Sequence, residues 1–124
     1  MEPIEIEGTL KTPAVNFDSS QGLLEIKGRS NPENSIEFYK PLVNWIEEYA
    51  RNPGVRTILN VQLEYFNTSS SKCLLDIFKR LEGIHKANHD VLVNWYYEED
   101  ESMLEAGEDY KFMTKVPFNM IEKA

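Results

Sequence analysis

The chain has little that would let it cross-link, span a bilayer or grip nucleic acid. Of its 124 residues only Cys73 is a cysteine, so no internal disulfide can form. A reducing, cytoplasmic setting is the simpler expectation. Basic residues are scarce. Thirteen Lys and Arg stand against 21 Asp and Glu, which gives a formal net charge of −8. Phosphate backbones and anionic headgroups would be repelled, which argues against nucleic acid as a partner. No apolar run approaches the roughly 20 residues needed to cross a bilayer, so no membrane insertion is expected. The opening MEPIEIEGTL alternates and is acidic, without the basic start and apolar block of a signal peptide. There is no phosphate-binding glycine loop, metal-protease helix motif, nucleophile elbow or kinase signature. What is present is an ordinary folding composition, 41% hydrophobic and 27% charged. One domain over residues 1–124, with a sizeable core, is the expectation.

Alternation of apolar and polar residues predicts strands at Ile4 to Leu10 and at Leu23 to Gly28, with a turn and a short strand between Pro13 and Gln21. GRSNPENS, Gly28 to Ser35, reads as a loop. Asn34 followed by Glu37 resembles a capping box. The helix it opens carries Ile36, Tyr39, Val43, Ile46 and Tyr49 at helical spacing, with Pro41 predicting a kink or a broken first turn. Val55 to Phe66 predicts a long strand. Val55, Thr57, Leu59, Val61, Leu63 and Tyr65 share one face; Arg56, Asn60, Gln62 and Glu64 lie mostly on the other. Val91 to Glu98 repeats the pattern. Such alternation means one buried and one wetter face, so the class is α/β with a mixed sheet and helices mainly on one face. Leu74, Ile77, Phe78, Leu81 and Ile84 stripe a helix from about Ser69 to Lys86, giving a strand–helix–strand parallel crossover. A third helix spans about Glu101 to Phe112, and Pro117 to Ile121 adds a short strand or simply packs.

The junction LEYFNTSSSKCLL, Leu63 to Leu75, is the most informative stretch. A strand stops in Thr68, Ser69, Ser70 and Ser71, and a helix starts. The first N–H groups of a helix lack partners there and favour an anion. A phosphate attached at this corner would be stabilised locally and would add nearly two charges. Helix capping by a hydroxyl is the plainer use, but four hydroxyls exceed what a cap needs. Both readings stay open on these residues alone. Lys72 either offsets a phosphate or is a solvated charge.

The other candidates have simpler readings. Glu98, Glu99, Asp100 and Glu101 lack calcium-loop spacing and suit a helix start. His85 and His89 have no third zinc ligand nearby. Cys73 borders a buried stripe, where a cysteine acts as a small hydrophobe. Trp45 and Trp95 read as core or interface aromatics. No catalytic residue, metal or cofactor is assigned.

GRSNPENSIEFYKPLVNWIEEY, LEYFNTSSSKCLLDIFKRL, VNWYYEEDESMLEAGEDY and the closing PFNMI resemble, in order and over nearly the whole chain, the SiaC-like regulatory phosphoproteins of bacteria. Members look like the STAS domains of anti-sigma-factor antagonists. The resemblance implies a STAS-like partner switch in biofilm and cyclic di-GMP signalling. A dedicated protein kinase would phosphorylate Thr68 and a PP2C-type phosphatase would reverse it. The unphosphorylated form would bind and activate a diguanylate cyclase. Asn67, Ser69, Ser70, Ser71 and Lys72 would surround the phosphosite and partner contact. KANHD, Lys86 to Asp90, stands where the family would carry a glycine, and Asn88 can adopt the left-handed backbone needed there. The competing readings are a small enzyme using the same hydroxyl corner, which needs a base and an oxyanion donor, and a constitutive binding module.

Overall fold

The computed structural model describes residues 1–123. Three antiparallel strands come first: β1 (Ile4–Ile6), β2 (Ala14–Asp18) and β3 (Leu23–Ser30). Three crossovers follow. Helix α1 (Ser35–Tyr49) leads to β4 (Arg56–Phe66), α2 (Thr68–Lys86) to β5 (Asp90–Tyr97), and α3 (Glu101–Met113) to β6 (Phe118–Glu122). The strands form one sheet in sequence order, with β3 to β6 parallel. Each crossover steps one strand in the same direction. With the usual right-handed connection, all three helices fall on one face. The mixed α/β architecture is therefore the one its alternating strands predict, and it is compatible with the STAS-like expectation.

Register builds the covered face. Leu24 pairs with Leu59, Leu59 with Val93, Ile26 with Val61 and Val61 with Trp95, and all are buried. The helix stripe of Leu74, Ile77, Phe78, Leu81 and Ile84 lies in the same core. The opposite face carries a row in which Asn94 lies between Asn60 and Asn119. The Asn94 amide donates to Asn60 Oδ1 at 2.9 Å, and the Asn119 amide donates to Asn94 Oδ1 at 3.4 Å. These side chains satisfy one another on a face no helix covers.

Helix α3 sits close to the sheet because Gly107 lets it. A Cβ there would lie 2.5 Å from Trp95 Cδ1. The indole instead fills that space, and its Nε1–H donates to the Met103 carbonyl at 2.9 Å.

Several boundaries differ from expectation. β1 ends at Ile6, not Leu10. β3 runs past Gly28 to Ser30, through a register shift at Gly28/Arg29, so the loop starts later. Val55 lies outside β4 and is exposed, as is Tyr65 near its end. Ile36 is exposed, whereas Leu42 and Trp45 join Tyr39, Ile46 and Tyr49 inside. α1 runs unbroken through Pro41. That residue is exposed, so water can serve the Glu37 carbonyl it leaves without a donor. Asn34 caps α1 by accepting from the Glu37 N–H at 3.1 Å. Only half of a capping box forms, since Glu37 meets the Asn34 side-chain amide instead of its backbone. Asn88 does adopt the left-handed backbone, with φ of 69°, and residues 118–122 do form a strand.

Candidate functional site

β4 ends at Phe66, and α2 begins two residues later. Asn67, between them, is the N-cap. Its Oδ1 accepts from the Ser70 N–H at 2.9 Å and its amide donates to Asn31 Oδ1 at 3.0 Å. The Asn67 N–H donates to the Ser30 carbonyl at 3.0 Å. Capping by asparagine frees the hydroxyl row from that duty.

The four hydroxyls then separate by environment. Ser70 is fully buried; its Oγ lies 2.8 Å from Ser30 Oγ, which lies 2.6 Å from the Tyr39 hydroxyl. Ser69 Oγ meets Ser35 Oγ at 2.7 Å. Ser71 Oγ donates to the Thr68 carbonyl at 2.7 Å. The Thr68 side chain is exposed, and its hydroxyl stays outside this network. From the other side, the Tyr110 hydroxyl donates to the Ser71 carbonyl at 2.8 Å. So β3, α1 and α3 all attach to the first turn of α2, and Thr68 projects from a braced corner.

Burial explains the local acidities. It pushes the Tyr39 hydroxyl up to about 12, against the lowering effect of its bond to Ser30. Tyr110 is raised for the same first reason. Both remain neutral hydroxyls across physiological pH. Burial, and then the charge of Asp76, pushes the Cys73 thiol up. A nucleophilic cysteine needs the opposite direction.

The structure brings Asn67, Thr68, Ser69, Ser71 and Lys72 to one surface corner and turns Ser70 inward. Two grooves flank α2 here. One, about 630 Å3, runs between α1 and α2 and reaches Ser69 and Lys72. The other, about 270 Å3, runs between α2 and α3 and reaches Ser71 and Lys72. Thr68 lines neither. Ser30, Ser35 and Tyr39 are members of the site that no local pattern announced. Their partners lie 40, 34 and 9 residues away in sequence.

The remaining clusters are structural. Asp100 caps α3, accepting from the Ser102 N–H at 2.9 Å, and the Ser102 hydroxyl holds its carboxyl below the usual range. Among the described residues no group of three His, Cys, Asp or Glu is arranged to hold a metal ion. No helix among them is long and apolar enough to cross a membrane.

A six-stranded mixed sheet with three helices and a braced strand-to-helix corner is the architecture this chain shares with a solved regulatory phosphoprotein family. The chain belongs to the SiaC family of regulatory phosphoproteins, whose family model matches residues 6–123. It is 34% identical over 119 residues to an uncharacterized protein of Pseudomonas aeruginosa strain UCBPP-PA14, covering 95% of this chain and 94% of that one. It superposes on the structure of SiaC of Pseudomonas aeruginosa with a TM-score of 0.91 at 33% identity, covering 99% of this chain and 100% of that one. It also matches SiaC in a crystal structure of the diguanylate cyclase SiaD in complex with its activator SiaC, from the same organism. There the TM-score is 0.90 at 34% identity, over 97% of this chain and 99% of that one.

Proposed function

We propose that this protein is a partner switch controlled by phosphate on Thr68, and not itself an enzyme. Unphosphorylated, it binds and activates a diguanylate cyclase. A dedicated protein kinase adds the phosphate and a PP2C-type phosphatase removes it, all in the cytoplasm. The carrying observation is the sorting of the hydroxyls. Ser69, Ser70 and Ser71 each make a side-chain hydrogen bond within the protein, while the exposed Thr68 hydroxyl makes none among the described residues and stands at an N-terminus that tolerates an anion. The cyclase reading is supported by the SiaD–SiaC complex of a relative that covers nearly the whole chain.

The physical logic rests on two environments for one dianion. On the free protein the phosphate is solvated, and the helix N-terminus favours it by roughly 0.3–1 kcal/mol. In a packed interface the same dianion must be desolvated without a matching charge, which costs several kcal/mol. Binding is lost while the fold is kept.

Affinity co-purification from the native organism, with intact and phosphopeptide mass spectrometry, tests this. The unphosphorylated form is expected to elute with a diguanylate cyclase, and the phosphorylated pool to carry its phosphate on Thr68 and elute without the cyclase. Equal recovery of cyclase with both forms, or phosphate confined to Ser70 or Ser71, overturns the switch. A cyclase partner with no phosphate under any condition favours a constitutive binding module.

A further inference from the structure

We infer that the groove between α1 and α2 is where the partner docks, and that its occupant is an amphipathic helix carrying a carboxylate beside its apolar ridge. The inference rests on the proposed switch and names the surface that the phosphate controls.

Three observations select this groove. First, it holds an apolar residue that the fold does not use. Ile36 is 74% exposed in the first turn of α1, and half-buried Val43 and Cys73 continue the apolar floor. The volume of about 630 Å3 suits a row of side chains from a helix laid along it. Second, the groove is continuous with the hydroxyl corner. Ser69 and Lys72 line it, and Thr68 precedes Lys72 by one helical turn. A partner seated in it therefore passes beside Thr68.

Third, its charge is uneven in a way that states the occupant's chemistry. At the far end Arg80 is paired with Glu47 at 3.0 Å and with Asp76 at 3.5 Å. Lys40 and Lys72, which also line the groove, enter no ion pair among the described residues. Two uncompensated cations on a chain of net charge −8 call for an anion from outside. A carboxylate on the incoming helix meets that need. A phosphate on Thr68 competes for Lys72 and repels the same carboxylate. One modification thus removes an attraction and adds a repulsion.

The α2/α3 groove also touches Lys72 and is smaller, at about 270 Å3. It serves as the internal alternative, with Met113, which lines it from the end of α3 and is 46% exposed, as its marker.

The test uses the full chain and the purified cyclase recovered with it. Titration calorimetry should show Ile36→Asp binding at least about tenfold more weakly than wild type, and Lys72→Glu likewise, with the Lys72→Glu loss shrinking as salt is raised. Met113→Asp should bind as wild type does. Ile36 is exposed and an acid in the first turn of a helix is favoured, so melting curves should show Ile36→Asp folded. Cys73, the single cysteine, gives a second readout. The bound cyclase should slow its alkylation by a maleimide at least about tenfold, as expected of an interface that excludes solvent. Wild-type affinity in Ile36→Asp and Lys72→Glu, unprotected Cys73, or a loss in Met113→Asp alone overturns the groove while leaving the switch intact. Failure of the wild-type chain to bind any cyclase overturns both.

Discussion

Ser30 and Ser70 lie 40 residues apart in sequence, yet their hydroxyl oxygens are 2.8 Å apart in the interior. Ser30 ends β3 and Ser70 opens α2, so this one contact joins the strand to the helix that carries Thr68. Ser70→Ala should cost about 1–2 kcal/mol, the usual penalty for leaving a buried hydroxyl partner short of a bond. Thermal or urea melting reads it directly. The same burial makes Ser70 a poor kinase substrate. Phosphopeptide mapping should find Thr68 modified in Ser70→Ala as in wild type.

Thr68→Ala should leave stability within about 0.5 kcal/mol of wild type, because an exposed side chain without partners is removed. Asn67→Ala should cost about 1 kcal/mol or more, since it deletes the N-cap and the bond to Asn31. Affinity for the cyclase should follow a different order. Thr68→Ala is expected to bind at all times, and Thr68→Asp to bind poorly while melting normally. Calorimetric titration beside melting curves separates the two effects.

Two helical glycines should respond with opposite sign. A Cβ on Gly107 would press on Trp95, so Gly107→Ala should cost roughly 1–3 kcal/mol and disturb tryptophan fluorescence. Gly83 is exposed in α2 with nothing within 4 Å of the added atom. Gly83→Ala should therefore stabilise by roughly 0.5–1 kcal/mol. Denaturant midpoints of the two variants check both signs.

Glu82 shapes the acid limb of the stability curve. Its bond to Lys86, at 2.9 Å, and then the Lys115 N–H hold its carboxyl down to about 2. A lowered folded value means the stabilisation is complete above the unfolded value of roughly 4.3 and fades as pH falls towards 2. Glu82→Gln should flatten that decline. At neutral pH it should cost roughly 1 kcal/mol and loosen the turn at Lys115.

Tyr39 shapes the alkaline limb. Burial raises its hydroxyl to about 12. A raised folded value means its contribution is intact below the unfolded value of roughly 10 and fades as pH rises towards 12. Tyr39→Phe should blunt that loss while giving up the bond to Ser30. Unfolding followed by far-UV dichroism between pH 9 and about 12 tests it.

Particular residues show which parts were readable from local pattern. The α2 stripe from Leu74 to Ile84 is wholly buried, and period-two alternation placed Leu59, Val61, Val93 and Trp95 inside. Both depend only on the geometry of a helix or a strand beside an apolar layer. Ile36 and Val55 show where that logic ends. Each extends an apolar pattern by one step beyond the neighbouring element's cover, and each is exposed. Periodicity gives the direction of a face and not how far its partner reaches. The cap at Asn67 was hidden by the hydroxyls after it, each of which is also a competent cap.

The sequence by itself determined the element order, the covered face of the sheet and the strand-to-helix corner with its row of hydroxyls, because these follow from spacing, turn chemistry and burial within short windows. It also carried the family resemblance, in the NTSSSK and GED stretches. Only the tertiary structure decided which hydroxyl is free. Ser69 and Ser70 take partners from Ser35 and Ser30, far back in the chain. Hydrogen bonds between distant segments depend on sheet register and helix placement, which no window of neighbouring residues contains. Thr68 is distinguished from three adjacent hydroxyls by what the rest of the fold does to them.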